Sequence, residues 1–98
     1  MNIDAFKADL IREGYQPKFS SLPPEQVAPD HAHDFDARVM VLGGEITITR
    51  DGKAELFRVG DSCSVPAGTI HAEHVRPEGV AYLSGRRQLI GCPKDTSD

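Results

Sequence analysis

Two histidines separated by one residue, His31-Ala32-His33, and a third, His71, are the residues of this chain best suited to do chemistry. Residues two apart on a β-strand project from one face, so a strand through this segment presents both rings together. His71 closes the segment Pro66-Ala67-Gly68-Thr69-Ile70-His71, where a turn delivers the chain into another strand. Three imidazoles that converge inside a barrel hold a divalent transition metal and leave coordination positions open. That arrangement is catalytic more often than structural.

The elements that must position these rings read as one domain, because 98 residues suffice for one compact core and not for two. Residues 1–14 form an amphipathic helix packed on the barrel or on a partner. Its helical core is residues 3–13, with Ile3, Phe6 and Leu10 in one apolar stripe, Ile11 beside it, Asn2 or Asp4 as cap and Gly14 as stop. From Gln16 the chain reads as short strands: 18–22, 25–28, 35–42, 45–50, 53–59, 62–65, 70–76 and 80–85. Pro23-Pro24, Pro29, Gly43-Gly44, Gly60-Asp61 and Pro77-Glu78-Gly79 punctuate them. Asp51-Gly52 is a two-residue hairpin loop that sets Ile46 opposite Phe57 and Glu45 opposite Arg58. Turn chemistry every eight to ten residues predicts an all-β antiparallel sandwich or small barrel over residues 15–90, followed by a polar tail over 91–98.

Composition narrows the function classes. The formal net charge is −4 and no basic stripe extends beyond Arg86-Arg87, which argues against nucleic-acid binding. No apolar run approaches a membrane span, and the N-terminus lacks a secretory apolar region. Cys63 and Cys92 have no metal or redox spacing and read as free, half-buried thiols, which predicts a reducing compartment and a cytoplasmic protein. Phe35, Val39, Val41, Ile46, Ile48, Phe57 and Val65 read as core, some of them lining any pocket.

With the segments in place, residues 25–85 resemble the cupin family of double-stranded β-helix (jelly-roll) barrels. The first family motif, His-x-His followed by a Glu and a Gly, is matched by His31, His33 and Gly44. The second, Gly…Pro-x-Gly…His…Asn, is matched by Gly60, Pro66, Gly68 and His71. Two positions depart from the pattern. Ala37 stands where the Glu ligand falls (Arg38 in the longer variant of the motif), and Val75 stands where the Asn falls.

The resemblance implies a divalent metal (Zn, Fe, Mn or Ni) on His31, His33 and His71, with three ways to complete the site. Glu73 shares strand parity with His71 and points inward with it, as ligand or as proton carrier. Asp36 has the wrong parity and reaches the site only through a bulge. The third is a bare three-histidine site, balanced by water or an anionic substrate. His74 faces away. Arg38 reads as solvated, or as a clamp on a substrate carboxylate if the barrel opens there. Tyr82 reads as packing, and Arg86 and Arg87 as a solvated strand end or a dimer contact.

The function expected is a metal-binding small cupin acting on a small polar or anionic molecule, as a dioxygenase- or isomerase-like enzyme. The alternatives are a non-catalytic ligand-binding or sensing barrel and a dimeric scaffold with vestigial histidines. A homodimer is the expected assembly, since barrels with exposed sheet edges need cover.

Overall fold

A computed structural model describes residues 2–88. The expected polar tail and Cys92 lie outside the described residues. The element order is α1 (Ile3–Arg12), β1 (Gln16–Leu22), β2 (Val27–His31), β3 (Phe35–Arg50), β4 (Lys53–Phe57), β5 (Ser62–Val65) and β6 (His71–Gln88).

The helix forms where its signals put it. The Asn2 side chain accepts a hydrogen bond from the Ala5 N–H at 2.9 Å, which satisfies one of the free donors of the first turn. The chain leaves the helix through Gly14 at φ +88, and the Tyr15 N–H returns to the Leu10 carbonyl at 2.8 Å. Phe6 and Leu10 are buried against Tyr15, Met40 and Leu83, so α1 covers the outer face of the sheet. Burying Leu10 and Phe6 contributes about 1.5–3 kcal/mol each, which offsets the weak intrinsic stability of so short a helix. Ile11, beside the stripe, stays exposed.

All strands join one six-stranded antiparallel sheet in which β3 and β6 are shared by two halves. The first part of β3 pairs with β5, and its last part pairs with β4. The start of β6 pairs with β2, and the stretch from Val80 pairs with β1. Side chains from both halves meet inside: Val41 and Val80 from one, Ile46, Ile48, Phe57 and Val75 from the other. The sheet therefore folds over on itself around one apolar interior, the jelly-roll arrangement expected from the resemblance.

Three expected breaks are corrected by this geometry. Gly43-Gly44 does not end a strand; β3 runs through it, with register shifts between Val41 and Ile46. These shifts swap the inward parity from odd residues (Val39, Val41) to even ones (Ile46, Ile48). Pro77-Glu78-Gly79 likewise lies within β6, in the stretch between Val75 and Val80 that β3 leaves unpaired, so the proline costs no ladder bond. Pro29 sits inside β2, at the register shift between Ala28 and His31. The two interior corners touch. A Cβ on Gly44 (φ +70) would stand 1.9 Å from the Gly79 carbonyl oxygen, so only glycine fits there.

The hairpin is as expected. Asp51 and Gly52 both have positive φ, the turn preferred between right-twisted strands. Ile46 pairs with Phe57, and Arg58 lies 3.4 Å from Glu45.

Candidate metal centre

His31 ends β2 and His71 begins β6, and the two are directly paired across the ladder. His33 lies in the connector between β2 and β3. The His-x-His segment is thus not one regular strand, as its spacing suggested. The strand ends at His31, and His33 is instead held by its neighbours. Its carbonyl accepts the Gly68 N–H at 2.9 Å, and its ring stacks on Phe35 at 4.6 Å between centroids. The turn that leads to His71 is therefore tied directly to His33.

The three rings converge. Their centroids are 4.3 Å apart for His31 and His71, 4.9 Å for His31 and His33, and 5.3 Å for His33 and His71. One ring nitrogen from each lies within 4.8 Å of the others. A tetrahedral ion at bond lengths of about 2.1 Å would draw such nitrogens to roughly 3.4 Å, a small contraction. His71 is 2% exposed, and the other two are half-buried.

Tautomers follow from the hydrogen bonds. His31 Nδ1 donates to the Pro29 carbonyl at 2.8 Å, and His71 Nδ1 donates to the Thr69 carbonyl at 3.0 Å. A carbonyl only accepts, so both Nδ1 atoms carry hydrogen and both neutral rings keep a lone pair on Nε2. Metal-binding histidines are commonly oriented this way. On His33, burial, followed by the neighbouring His31, His71 and Arg86, holds the ring's pKa below its usual value, against the opposing pull of Glu73. Each of the leading effects favours the neutral, ligating form.

Glu73 Oε2 lies 3.4 Å from His71 Nε2. With hydrogen on Nδ1, these two atoms are acceptors facing each other. A proton on His71 Nε2 turns this contact into an ion pair, and a metal ion on the three rings would have the carboxylate beside it. The three convergent nitrogens are the donor set that fits a divalent ion.

The structure brings His31, His33, His71 and Glu73 together and leaves Asp36 apart from them. Asp36 Oδ1 accepts the Ala67 N–H at 2.9 Å, and Oδ2 accepts Arg87 at 3.0 Å. The Ala67 N–H first, and then Arg87, hold this carboxyl below its usual range. His74 turns outward to Glu25 at 2.9 Å. Arg38 bonds Glu13 at 3.0 Å and lies over Phe6, on the helix side of the sheet, so it cannot clamp a ligand inside. Arg87 is half-exposed and engaged within the chain: besides Asp36 it donates to the Glu13 carbonyl and covers the Tyr15 ring.

The cluster opens on a pocket of about 110 Å³. His33, His71 and Glu73 form its polar side, and Phe35, Val39, Val41 and Ile48 are among its apolar walls. Tyr82 packs on the core and also reaches this pocket. Cys63 lines it as a free thiol, and burial pushes its pKa up to about 11. Arg86, expected as a solvated strand end or a dimer contact, is exposed and also lines this pocket, a role its sequence position did not reveal. Ending the strand at Gly85 hid it. Extended by one residue, the alternation Tyr82, Ser84, Arg86 places the arginine on the inner face.

Residues 18–83 match the family described as Cupin domain. No curated protein sequence matches the chain. Among solved structures, the fold is similar to a cupin superfamily protein from Desulfitobacterium hafniense, with a TM-score of 0.68 and 22% identity over 79% of this chain and 70% of that one. A conserved protein of unknown function from Streptococcus pyogenes has a TM-score of 0.67 and 26% identity over 78% of this chain and 66% of that one. The DMSP lyase DddQ from Ruegeria pomeroyi has a TM-score of 0.69 and 20% identity over 81% of this chain and 41% of that one. These likenesses carry the fold.

Proposed function

Because the chain belongs to the cupin family, we propose that it is a metal-dependent cupin enzyme acting on a small polar or anionic molecule. His31, His33 and His71 hold a divalent transition metal, zinc, iron, manganese or nickel, and Glu73 is the acid–base group beside it. The observation that carries this reading is the convergence of one ring nitrogen from each histidine within 4.8 Å of the others, with Glu73 Oε2 3.4 Å from His71 Nε2. When bound, the metal supplies Lewis acidity at a substrate oxygen, or a redox couple if it is iron.

The chain's own groups then have distinct tasks. Hydrogen bonds at Nδ1 keep the rings of His31 and His71 aimed inward. Glu73, three-quarters buried, takes a proton at Oε2 and returns it within the pocket. Phe35, Val39 and Ile48 exclude water and strengthen the electrostatics inside.

Elemental analysis of protein purified without an affinity tag, joined to a turnover panel of small polar molecules, tests the proposal. One metal per chain, lost together with turnover in His71→Ala, is the expected result. No metal after refilling would overturn it. Stoichiometric metal without turnover, with a ligand that raises the Tm of the metal-free protein, would favour the binding-module reading instead.

A further inference from the structure

Arg86 holds a position in the pocket that the metal centre does not use. It lies directly across the β3–β6 ladder from Ala37, which in turn lies across from Val65 of β5. Cross-strand partners share a face, and all three line the pocket. The guanidinium carbon sits 4.7 Å from the Phe35 ring centroid, and the same ring stacks on His33. An arginine laid on an aromatic face is pre-organised, so its planar N–H fork loses little freedom on taking a ligand. The methyl of Ala37 leaves the space beside it open.

The charge count points the same way. Arg12, Arg38, Arg58 and Arg87 each have a carboxylate partner. Among the described residues Arg50, Arg76 and Arg86 have none, and of these three Arg86 alone lines the pocket. Glu73 is the one carboxylate lining the pocket, and it faces His71. A dipositive ion on three neutral imidazoles, with Arg86 added and only Glu73 opposing, leaves the loaded pocket positive.

We propose that Arg86 is the substrate's anchor: it takes the carboxylate of a small molecule whose second polar group reaches the three-histidine cluster. A planar carboxylate matches the fork in two parallel hydrogen bonds. The substrate class is thus a small carboxylate with a further oxygen donor, of which a 2-hydroxy acid is the simplest. This deepens the metal-cupin reading, and only the second contact depends on the metal.

Lactate, with lactamide as its neutral counterpart, is the probe. Calorimetric titration of the zinc-loaded chain and NMR titration of the metal-free chain, following the Arg86 Nε–Hε signal, read binding without turnover. The expected result is that lactate binds and lactamide binds at least about 10-fold more weakly. Arg86→Gln weakens lactate by a similar factor while zinc stoichiometry and Tm stay unchanged, and Arg86→Lys recovers part of the loss. Equal binding of lactate and lactamide, or of lactate to wild type and Arg86→Gln, overturns the proposal. Loss of zinc or of folding in Arg86→Gln and Arg86→Lys alike also overturns it, by making Arg86 structural. If zinc fails to bind but lactate still binds through Arg86, the anchor stands and the metal reading falls.

Discussion

Asp36 Oδ1 accepts a 2.9 Å hydrogen bond from the Ala67 N–H, 31 residues away in sequence. Its other oxygen holds Arg87 of β6, so one carboxylate ties the start of β3 to the turn before His71 and to the last part of β6. Beside it, the Gly68 N–H donates to the His33 carbonyl. The turn that delivers His71 is thus fastened to the segment that carries His33. Asp36 is a positioning residue, which explains how a side chain with the wrong parity still bears on the metal centre.

Asp36→Ala is expected to weaken metal binding about 10-fold without removing a ligand, the usual effect of losing an outer support. Competition titration with a chromophoric chelator reads this. An affinity equal to wild type would mean that the turn holds itself.

The same bond makes part of the stability depend on pH. The Asp36 carboxyl is held below its ordinary value of 3.8, first by the Ala67 N–H and then by Arg87. A depressed carboxyl stabilises the fold above the unfolded-state value and loses that contribution as pH falls through the folded one. Asp36→Asn should therefore melt below wild type at pH 7, with the gap closing as pH falls through 3.8 and the lowered value of the folded carboxyl. A gap that stays constant over that range would contradict the assignment.

Cys63 should be slow to alkylate. Burial lifts its pKa from 9.0 to about 11, so at pH 8 its thiolate fraction is roughly 100-fold below that of an ordinary thiol. In a Cys92→Ser background, iodoacetamide should modify folded protein far more slowly than protein in urea. Similar rates would place the thiol in contact with solvent.

Gly44→Ala should cost roughly 3 kcal/mol or more, a Tm loss above about 10 °C. The new Cβ would stand 1.9 Å from the Gly79 carbonyl oxygen, at a backbone angle that alanine rarely adopts. Gly52→Ala, at a positive φ but in open space, is the control and should cost about 1–2 kcal/mol, the backbone penalty alone.

Local features were legible in the sequence because their causes are local. The Asn2 cap, the Phe6–Leu10 stripe and the Asp51-Gly52 hairpin with its Ile46–Phe57 pair each depend on a few adjacent residues. The three histidines were legible as members of two spaced motifs. What escaped was set by distant partners. Gly43-Gly44 and Pro77-Glu78-Gly79 look like turns, yet they mark corners where long strands change neighbours, and only the register shows this. The division of labour between Arg38 and Arg86 also follows from register. Arg38 pairs across from Gly85, beneath the helix, while Arg86 pairs across from Ala37, inside the pocket. No short window of sequence carries that relation.

The central claim is that His31, His33 and His71 form one metal site. Titration of zinc into the metal-free, untagged chain, with His71→Ala alongside, tests it most directly. The account predicts saturation at one ion per wild-type chain and a loss of at least about 100-fold in affinity in His71→Ala, since the buried ligand is removed from a three-nitrogen site. Absence of saturable binding, or binding that His71→Ala leaves unchanged, would contradict it.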